Sequence, residues 1–187
     1  MGEPDLKKIS KDPMVWVSEL HKPEEISKRA DTAFNVALEK LLETHGTAET
    51  VMQTGEAFGR GLFAEFIQEK PEVWTMKEWL DVITETILEP MGNSFTLAEV
   101  ETDKARSLMT QCSLQEKIDE THVASIFTYG CIRGLFLSAF PNGELLMGST
   151  MALGAPVTEF TFKSNASYKD RFERQRVKNL FTITKKL

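Results

Sequence analysis

The sequence predicts a single domain that contains both amphipathic helices and β-strands. Between Ile26 and Leu42, apolar residues recur at intervals of three and four, which is the period of a helix with one buried face. In residues 157–162, Val157, Glu159 and Thr161 alternate with Thr158, Phe160 and Phe162, which is the two-residue period of a half-buried strand. A Pro-Asn-Gly break at 141–143 separates a glycine-bearing helix from strand-like sequence. Helical and strand-like periods therefore both occur within one chain.

The composition is that of one globular domain. With 187 residues, 41% hydrophobic and 27% charged, the chain is long enough to bury a sizeable core. No run approaches the roughly 18 apolar residues of a membrane span, and the charged N-terminus lacks the apolar segment of a signal peptide. We expect a cytoplasmic protein with no membrane partner, divided into an arm at 1–22, a domain at 23–163 and a tail at 164–187.

The tail differs from the rest of the chain in charge. It contains seven Lys or Arg residues against only Asp170 and Glu173, although the whole chain has a net charge of −6. Such a tail can bind nucleic acid, fold back on its own acidic domain, or meet the acidic face of a second copy. No nucleic-acid-reading motif accompanies the charge, so nucleic acid is the least favoured of these partners.

Two helices are predicted to form an antiparallel hairpin at the start of the domain. The first begins at Pro23, a residue suited to the first helical position, and ends at His45-Gly46. The second begins after Thr47 as N-cap and carries Gly55 and Gly59 on one face. Glycine costs roughly 1 kcal/mol against alanine inside a helix, so some close approach should offset this pair. The close approach is either that of a tightly packed neighbouring helix or that of a ligand lying over the face that carries Gly55 and Gly59.

A third helix and a strand hairpin follow. Thr75 and Glu78 have the spacing of a capping box, and the helix that they begin is predicted to end near Glu89-Pro90. Alternating residues then predict strands at 94–101 and 105–112.

The fourth helix leads into the last two strands. Ser113 and Glu116 form a second capping box, from which a helical segment, broken near Thr121, is predicted to run to Phe140. Gly130 and Gly134 lie four residues apart on it and open one face to another backbone or a ligand. After the break, strands are predicted at 144–153 and 157–162.

Few residues are candidates for nucleophile, base or soft ligand. Cys112 and Cys131 lack the paired spacing of a zinc site and are expected to be reduced, so we predict neither a metal nor a cofactor. On one continuous helix His122 and Cys131 face opposite ways, which argues against a dyad between them. His122 instead shares a face with Ser125 and Tyr129, which form either a polar spot in a pocket or a partly exposed helix start.

Arg133 is the charged residue most in need of an explanation. It stands among apolar residues between Gly130 and Gly134, and a buried arginine usually requires an anionic partner. That partner is either an internal carboxylate, such as Glu144 or Glu159, or a carboxylate on a ligand. Arg60, beside two glycines, presents the same choice.

Residues 26–163 contain ISKRA in the first helix, a glycine-bearing second helix, Cys112, Cys131 and FPNGELLMGSTMALG. In these features the chain resembles the L-2-amino-thiazoline-4-carboxylate hydrolase family and, more distantly, vinyl-reductase sensor domains, which share a ligand-binding fold with TRAPP-type trafficking subunits. The families end on Gly-Asp and a Cys before an aromatic residue, whereas this chain has Gly154-Ala155 and Glu159-Phe160.

The resemblance implies an α+β domain in which helices pack on one side of a small antiparallel four-stranded sheet. It also implies a homodimer and an apolar pocket for a small-molecule ligand between helices and sheet. On the hydrolase interpretation, water attacks a cyclic C=N substrate whose carboxylate is clamped by Arg133 or Arg60, and His122 or Cys131 assists the reaction. The residues expected to line the ligand site are Gly55, Gly59, Tyr129, Gly130 and Gly134.

Two further interpretations remain open. In a sensor or carrier, the same pocket would hold a hydrophobic ligand, such as a lipid or a tetrapyrrole, without any reaction. In a scaffold with a filled core, the glycines would serve helix packing alone.

Overall fold

The computed structural model describes residues 23–43, 47–68, 71–116 and 122–165. These residues form an α+β domain, as predicted. Its helices are α1 (Pro23–Glu43), α2 (Ala48–Phe66), α3 (Met76–Ile83) and α4 (Val123–Ala139). Its strands are β1 (Ser94–Val100), β2 (Lys104–Gln111), β3 (Glu144–Met147) and β4 (Thr158–Lys163). The arm at 1–22, the cap at His45-Gly46 and the tail beyond Asn165 lie outside the described residues.

The four strands form one antiparallel sheet in the order β1-β2-β4-β3, and the helices pack on one side of it. Strand residues alternate between the two faces of a sheet. Phe160 and Phe162 of β4 are therefore buried on the helical side, while the alternate residues Glu159 and Thr161 are only half-buried. This is the alternation that the sequence predicts for 157–162.

The helix α4 is the centre of the core, because 13 of its 17 residues are buried. It packs along α2 on one side and reaches the sheet on the other. Aromatic rings join the layers. The centroid of the Trp79 ring of α3 lies 5.1 Å from that of Phe136 in α4 and 5.2 Å from that of Phe162 in β4. Such edge-on and tilted ring pairs add stability beyond the area that they bury.

The predicted N-caps of α2 and α3 are supported by hydrogen bonds, whereas at the other predicted capping box the Ser113 N–H donates to Asn93 Oδ1 at 3.0 Å and not to Glu116. The Glu78 N–H donates to Thr75 Oγ1 at 3.2 Å, which is one of the two hydrogen bonds of a capping box. Thr47 precedes α2, and its N–H donates to Thr50 Oγ1 at 3.3 Å. Beyond Ile83 the helix continues as a π-helix over Thr84–Leu88, and the Glu89 N–H donates to the Thr84 carbonyl at 2.8 Å.

The predicted strand at 144–153 is wrong in its second half. β3 ends at Met147, and a 3₁₀ turn follows at Met151–Leu153. Thr150 begins this turn by accepting a hydrogen bond from Ala152 N–H at 3.3 Å. Gly154 ends it with φ at +83°, a left-handed conformation that glycine adopts without strain. The chain needs this turn to reverse direction and pair β4 with β3.

No helix among the described segments is long and apolar enough to cross a bilayer.

Candidate functional site

The four glycines expected at a ligand site lie in the contact between α2 and α4. A Cβ atom on Gly55 or Gly59 would overlap the carbonyl of Phe127 or Cys131 in α4. A Cβ atom on Gly130 or Gly134 would overlap the carbonyl of Met52 or Glu56 in α2. We call this reciprocal contact the glycine seam. Here the structure shows tight helix packing, because each glycine face is filled by the backbone of the other helix.

Glu56 is the partner of both arginines that were considered for binding a carboxylate. Arg133 Nη1 donates to Glu56 Oε2, and Arg60 donates to Glu56 Oε1 from Nη2 at 2.9 Å and from Nε at 3.2 Å. The described partner of Arg133 is therefore an internal carboxylate, which was one of the two alternatives, and it is Glu56, which was not among the residues named as examples. The reason is geometric: Glu56 lies beside the glycine seam, where α2 approaches α4 most closely.

Glu159 has a different role on the opposite face of the sheet. Arg106 of β2 donates from Nε to Glu159 Oε1 at 2.8 Å and from Nη1 to Glu99 Oε1 at 3.3 Å. These ion pairs join three neighbouring strands, β1, β2 and β4. Glu159 therefore contributes to sheet cohesion at a distance from Arg133.

The two cysteines belong to a small buried cluster between the end of β2 and α4. Cys112 Sγ lies 3.6 Å from Thr128 Oγ1, and Thr128 precedes Cys131 by three residues on one face of α4. Burial, and secondarily the neighbouring Cys112, raises the pKa of the Cys131 thiol to about 12. Burial also raises the pKa of Cys112, although hydrogen bonds from Leu114 and Thr128 act in the opposite direction. Both side chains are therefore neutral thiols near pH 7.

The structure does not bring His122 and Cys131 together. His122 immediately precedes α4 and is half-buried, and its Nδ1 has no hydrogen-bond partner among the described residues. Nine residues of helix separate it from Cys131, or roughly 14 Å along the axis. Tyr129, also expected at the site, donates its hydroxyl hydrogen bond to the Leu145 carbonyl at 2.9 Å and so joins α4 to β3.

One groove was not expected from the sequence. It lies between the end of α3 with its π-helical extension and the edge strand β1, and has a volume of about 140 Å³. The floor of the groove is apolar and is formed by Leu80, Phe95 and Leu97. Its rim is acidic and is formed by Asp81, Glu85 and Glu89. We call it the β1 groove. The four-residue spacing of the three acidic residues was visible in the sequence, but their position opposite β1 depends on the fold.

Within the described segments, no group of three or more His, Cys, Asp or Glu side chains is placed to hold a metal ion.

Comparison with known proteins finds a likeness in structure but none in sequence. No protein-family model matches the chain, and no curated protein matches it in sequence. Among solved structures, the chain is similar to subunit 3 of a trafficking protein particle complex from Naegleria fowleri, which was crystallised covalently bound to palmitic acid. The TM-score is 0.56 at 13% sequence identity, over 74% of this chain and 94% of that chain. The likeness supports a TRAPP-like fold and gives no support to the thiazoline hydrolase family.

Proposed function

We propose that this domain binds a hydrophobic ligand, a long acyl chain, in the layer between α4 and the sheet, and that it does so without catalysing a reaction. The observation that carries the proposal is the likeness of its fold to a structure bound to palmitic acid, over nearly the whole length of that protein. The ligand class is the one that an apolar interior between helices and sheet is suited to hold.

The interior of the domain has the chemistry for such a ligand. The helical side of the sheet presents Met109, Leu145, Met147, Phe160 and Phe162, all buried. Unbranched methionine side chains can rearrange around a flexible chain at small cost. The neutral thiols of Cys112 and Cys131 add no buried charge. An acyl chain would thus meet an almost entirely apolar surface there.

The candidate polar residues fit binding better than hydrolysis. Arg133 and Arg60 both bind Glu56, so either arginine would have to give up this internal partner before it could clamp a substrate carboxylate. A thiol nucleophile needs a lowered pKa or an adjacent base, whereas burial raises the pKa of Cys131 to about 12. His122 lies two and a half turns away from it.

The test is the mass of the protein under native and denaturing conditions, followed by ligand exchange. We expect the native protein to retain one hydrophobic molecule per chain. After delipidation, palmitic acid at a hundred times its Kd should stabilise the domain by roughly 2.7 kcal/mol. That stabilisation corresponds to a rise in Tm of about 5 °C or more. Butyric acid is the matched control, because it has the same carboxylate but too little apolar surface to bind.

The mode of attachment is read from the same samples. A molecule that remains under denaturing conditions but is released by hydroxylamine is held as a thioester, and the variants Cys112→Ser and Cys131→Ser identify its cysteine. A protein that retains nothing and gains no stability from palmitic acid would instead be a scaffold with a filled core. Turnover of a cyclic C=N carboxylate would overturn the non-catalytic part of the proposal.

The homodimer stays a prediction. Native mass spectrometry in the same experiment reports whether one or two chains are present, and whether ligand loss changes that number.

A further inference from the structure

The β1 groove has two properties of a peptide-binding surface. Its floor is apolar, and Leu97 remains 37% exposed there, with Val100 40% exposed further along the strand. β1 is also the edge of the sheet and pairs only with β2, so its outer backbone groups are available for further pairing within the described structure. A segment that contributes apolar side chains can therefore pack on the floor while it lies along the edge strand.

The rim of the groove specifies the charge of its occupant. Asp81 is bound by Lys77 at 2.5 Å. Glu85 and Glu89 are exposed, and no basic side chain of the described segments lies within ion-pair distance of either. Two carboxylates that have no basic partner among the described residues, above an apolar floor, favour a segment that combines basic and apolar residues.

The chain leaves the described structure close to this groove. Past the end of β4, the Ser164 N–H donates to the Asp103 carbonyl in the β1–β2 turn at 2.8 Å. From that turn to Leu97 is roughly 15 Å, estimated from the spacing of strands and of residues within a strand. The 22 residues that follow Asn165 can span at most about 75 Å. Chain length therefore permits the tail to reach the groove.

We propose that the β1 groove binds the basic tail that follows Asn165 in the same chain, residues 166–187. Seven Lys or Arg residues against two acidic residues make this segment complementary in charge to Glu85 and Glu89. Its apolar side chains, Phe172, Val177, Leu180 and Phe181, suit the floor formed by Leu80, Phe95 and Leu97. The proposal is independent of whether the interior holds an acyl ligand.

Zero-length cross-linking of the full chain tests the contact directly. A carbodiimide joins a lysine to a carboxylate only when the two are in ion-pair contact. We expect cross-links from one or more of Lys169, Lys178, Lys185 and Lys186 to Glu85 or Glu89. The Lys77–Asp81 pair is the internal positive control. If that pair is cross-linked and no tail lysine is joined to the groove, the proposal is wrong.

Mixing isotopically labelled and unlabelled protein identifies which chain supplies the tail. Cross-links within one isotope only support the proposal. Mixed-isotope cross-links would mean that the tail of a second copy occupies the groove, and would overturn it as stated.

Trypsin cleavage gives an independent readout with a matched control. In the double variant Glu85→Gln, Glu89→Gln, we expect cleavage within 164–187 to become about three- to tenfold faster at low ionic strength, because two exposed ion pairs are lost. The double variant Glu24→Gln, Glu25→Gln removes the same charge from an exposed part of α1 and should leave the rate unchanged. Equal rates in both variants would contradict the proposal.

Discussion

Arg133 of α4 donates a hydrogen bond to the carboxylate of Glu56 in α2, directly beside the glycine seam. The glycine seam brings the backbones of α2 and α4 together, and the Arg133–Glu56 ion pair lies at the partly exposed edge of this contact. Arg60, one turn after Glu56 on the same helix, binds the other carboxylate oxygen. One carboxylate thus holds two cations, and its loss leaves both without their shared partner.

The variant Glu56→Gln should destabilise the domain. We expect a loss of about 1–3 kcal/mol in the free energy of unfolding, because Arg133 and Arg60 lose a charged acceptor that is only 18% exposed. Urea unfolding measures this change. The control is Glu65→Gln, which breaks the exposed Arg29–Glu65 pair and should cost at most about 1 kcal/mol. Equal losses in the two variants would show that the position beside the seam adds nothing.

Alanine at Gly59 and at Gly61 should change stability in opposite directions. In a helix interior, Gly→Ala normally stabilises by up to about 1 kcal/mol. Gly61 has open space around the new Cβ atom, so Gly61→Ala should follow that rule. At Gly59 the Cβ atom would overlap the Cys131 carbonyl, so Gly59→Ala should lower Tm. A Gly59→Ala protein more stable than wild type would rule out the close backbone contact.

The buried thiol of Cys131 should weaken the domain at alkaline pH. Its pKa rises from 9.0 to about 12 on folding, so the native state disfavours the thiolate more than the unfolded state does. Its contribution to stability is therefore fully present below pH 9 and is lost as the pH rises toward 12. Urea unfolding between pH 8 and 11 should show a shallower decline for Cys131→Ala than for wild type. N-ethylmaleimide should label Cys131 only after unfolding.

Tyr129→Phe should cost about 1–2 kcal/mol, because it removes the hydroxyl that donates to the Leu145 carbonyl and leaves a buried acceptor unpaired. Thermal unfolding provides the measurement. Thr32→Val is the control, since it deletes an exposed hydroxyl bonded to Lys28 one turn earlier and should alter stability by less than about 0.5 kcal/mol. A similar small effect in both variants would mean that the buried bond is worth no more than the exposed one.

Local features of the fold were predictable from the sequence because their causes are local. The N-cap hydrogen bond from the Glu78 N–H to Thr75 depends on residues three apart, and the alternation of β4 depends on its own six residues. The error over residues 144–153 arose because Thr150 and Gly154 create a turn inside a mostly apolar run. Hydrophobic pattern does not distinguish such a run from a continuous strand.

The candidate site was harder to predict, because its contacts join residues far apart in sequence. The spacing of Gly55, Gly59, Gly130 and Gly134 indicates two open helix faces, yet spacing does not reveal that these faces meet each other. Similarly, the need of Arg133 for an anion was apparent, but its partner lies 77 residues earlier. The β1 groove depends further on the π-helical turn, which widens α3 after Ile83 and has no recognisable signal in the sequence.

The reciprocal arrangement of the glycine seam also limits how the domain can move. On each helix, two glycines four residues apart contact backbone carbonyl groups of the other helix. Sliding one helix by one residue would bring side chains against those carbonyl groups. Packed interfaces of this kind shift between discrete registers and do not deform continuously. Here the nearest alternative register is one full turn away, about 5.4 Å. α2 and α4 should therefore move as one rigid body, and any change of shape that accompanies binding must occur in α1, α3 or the sheet.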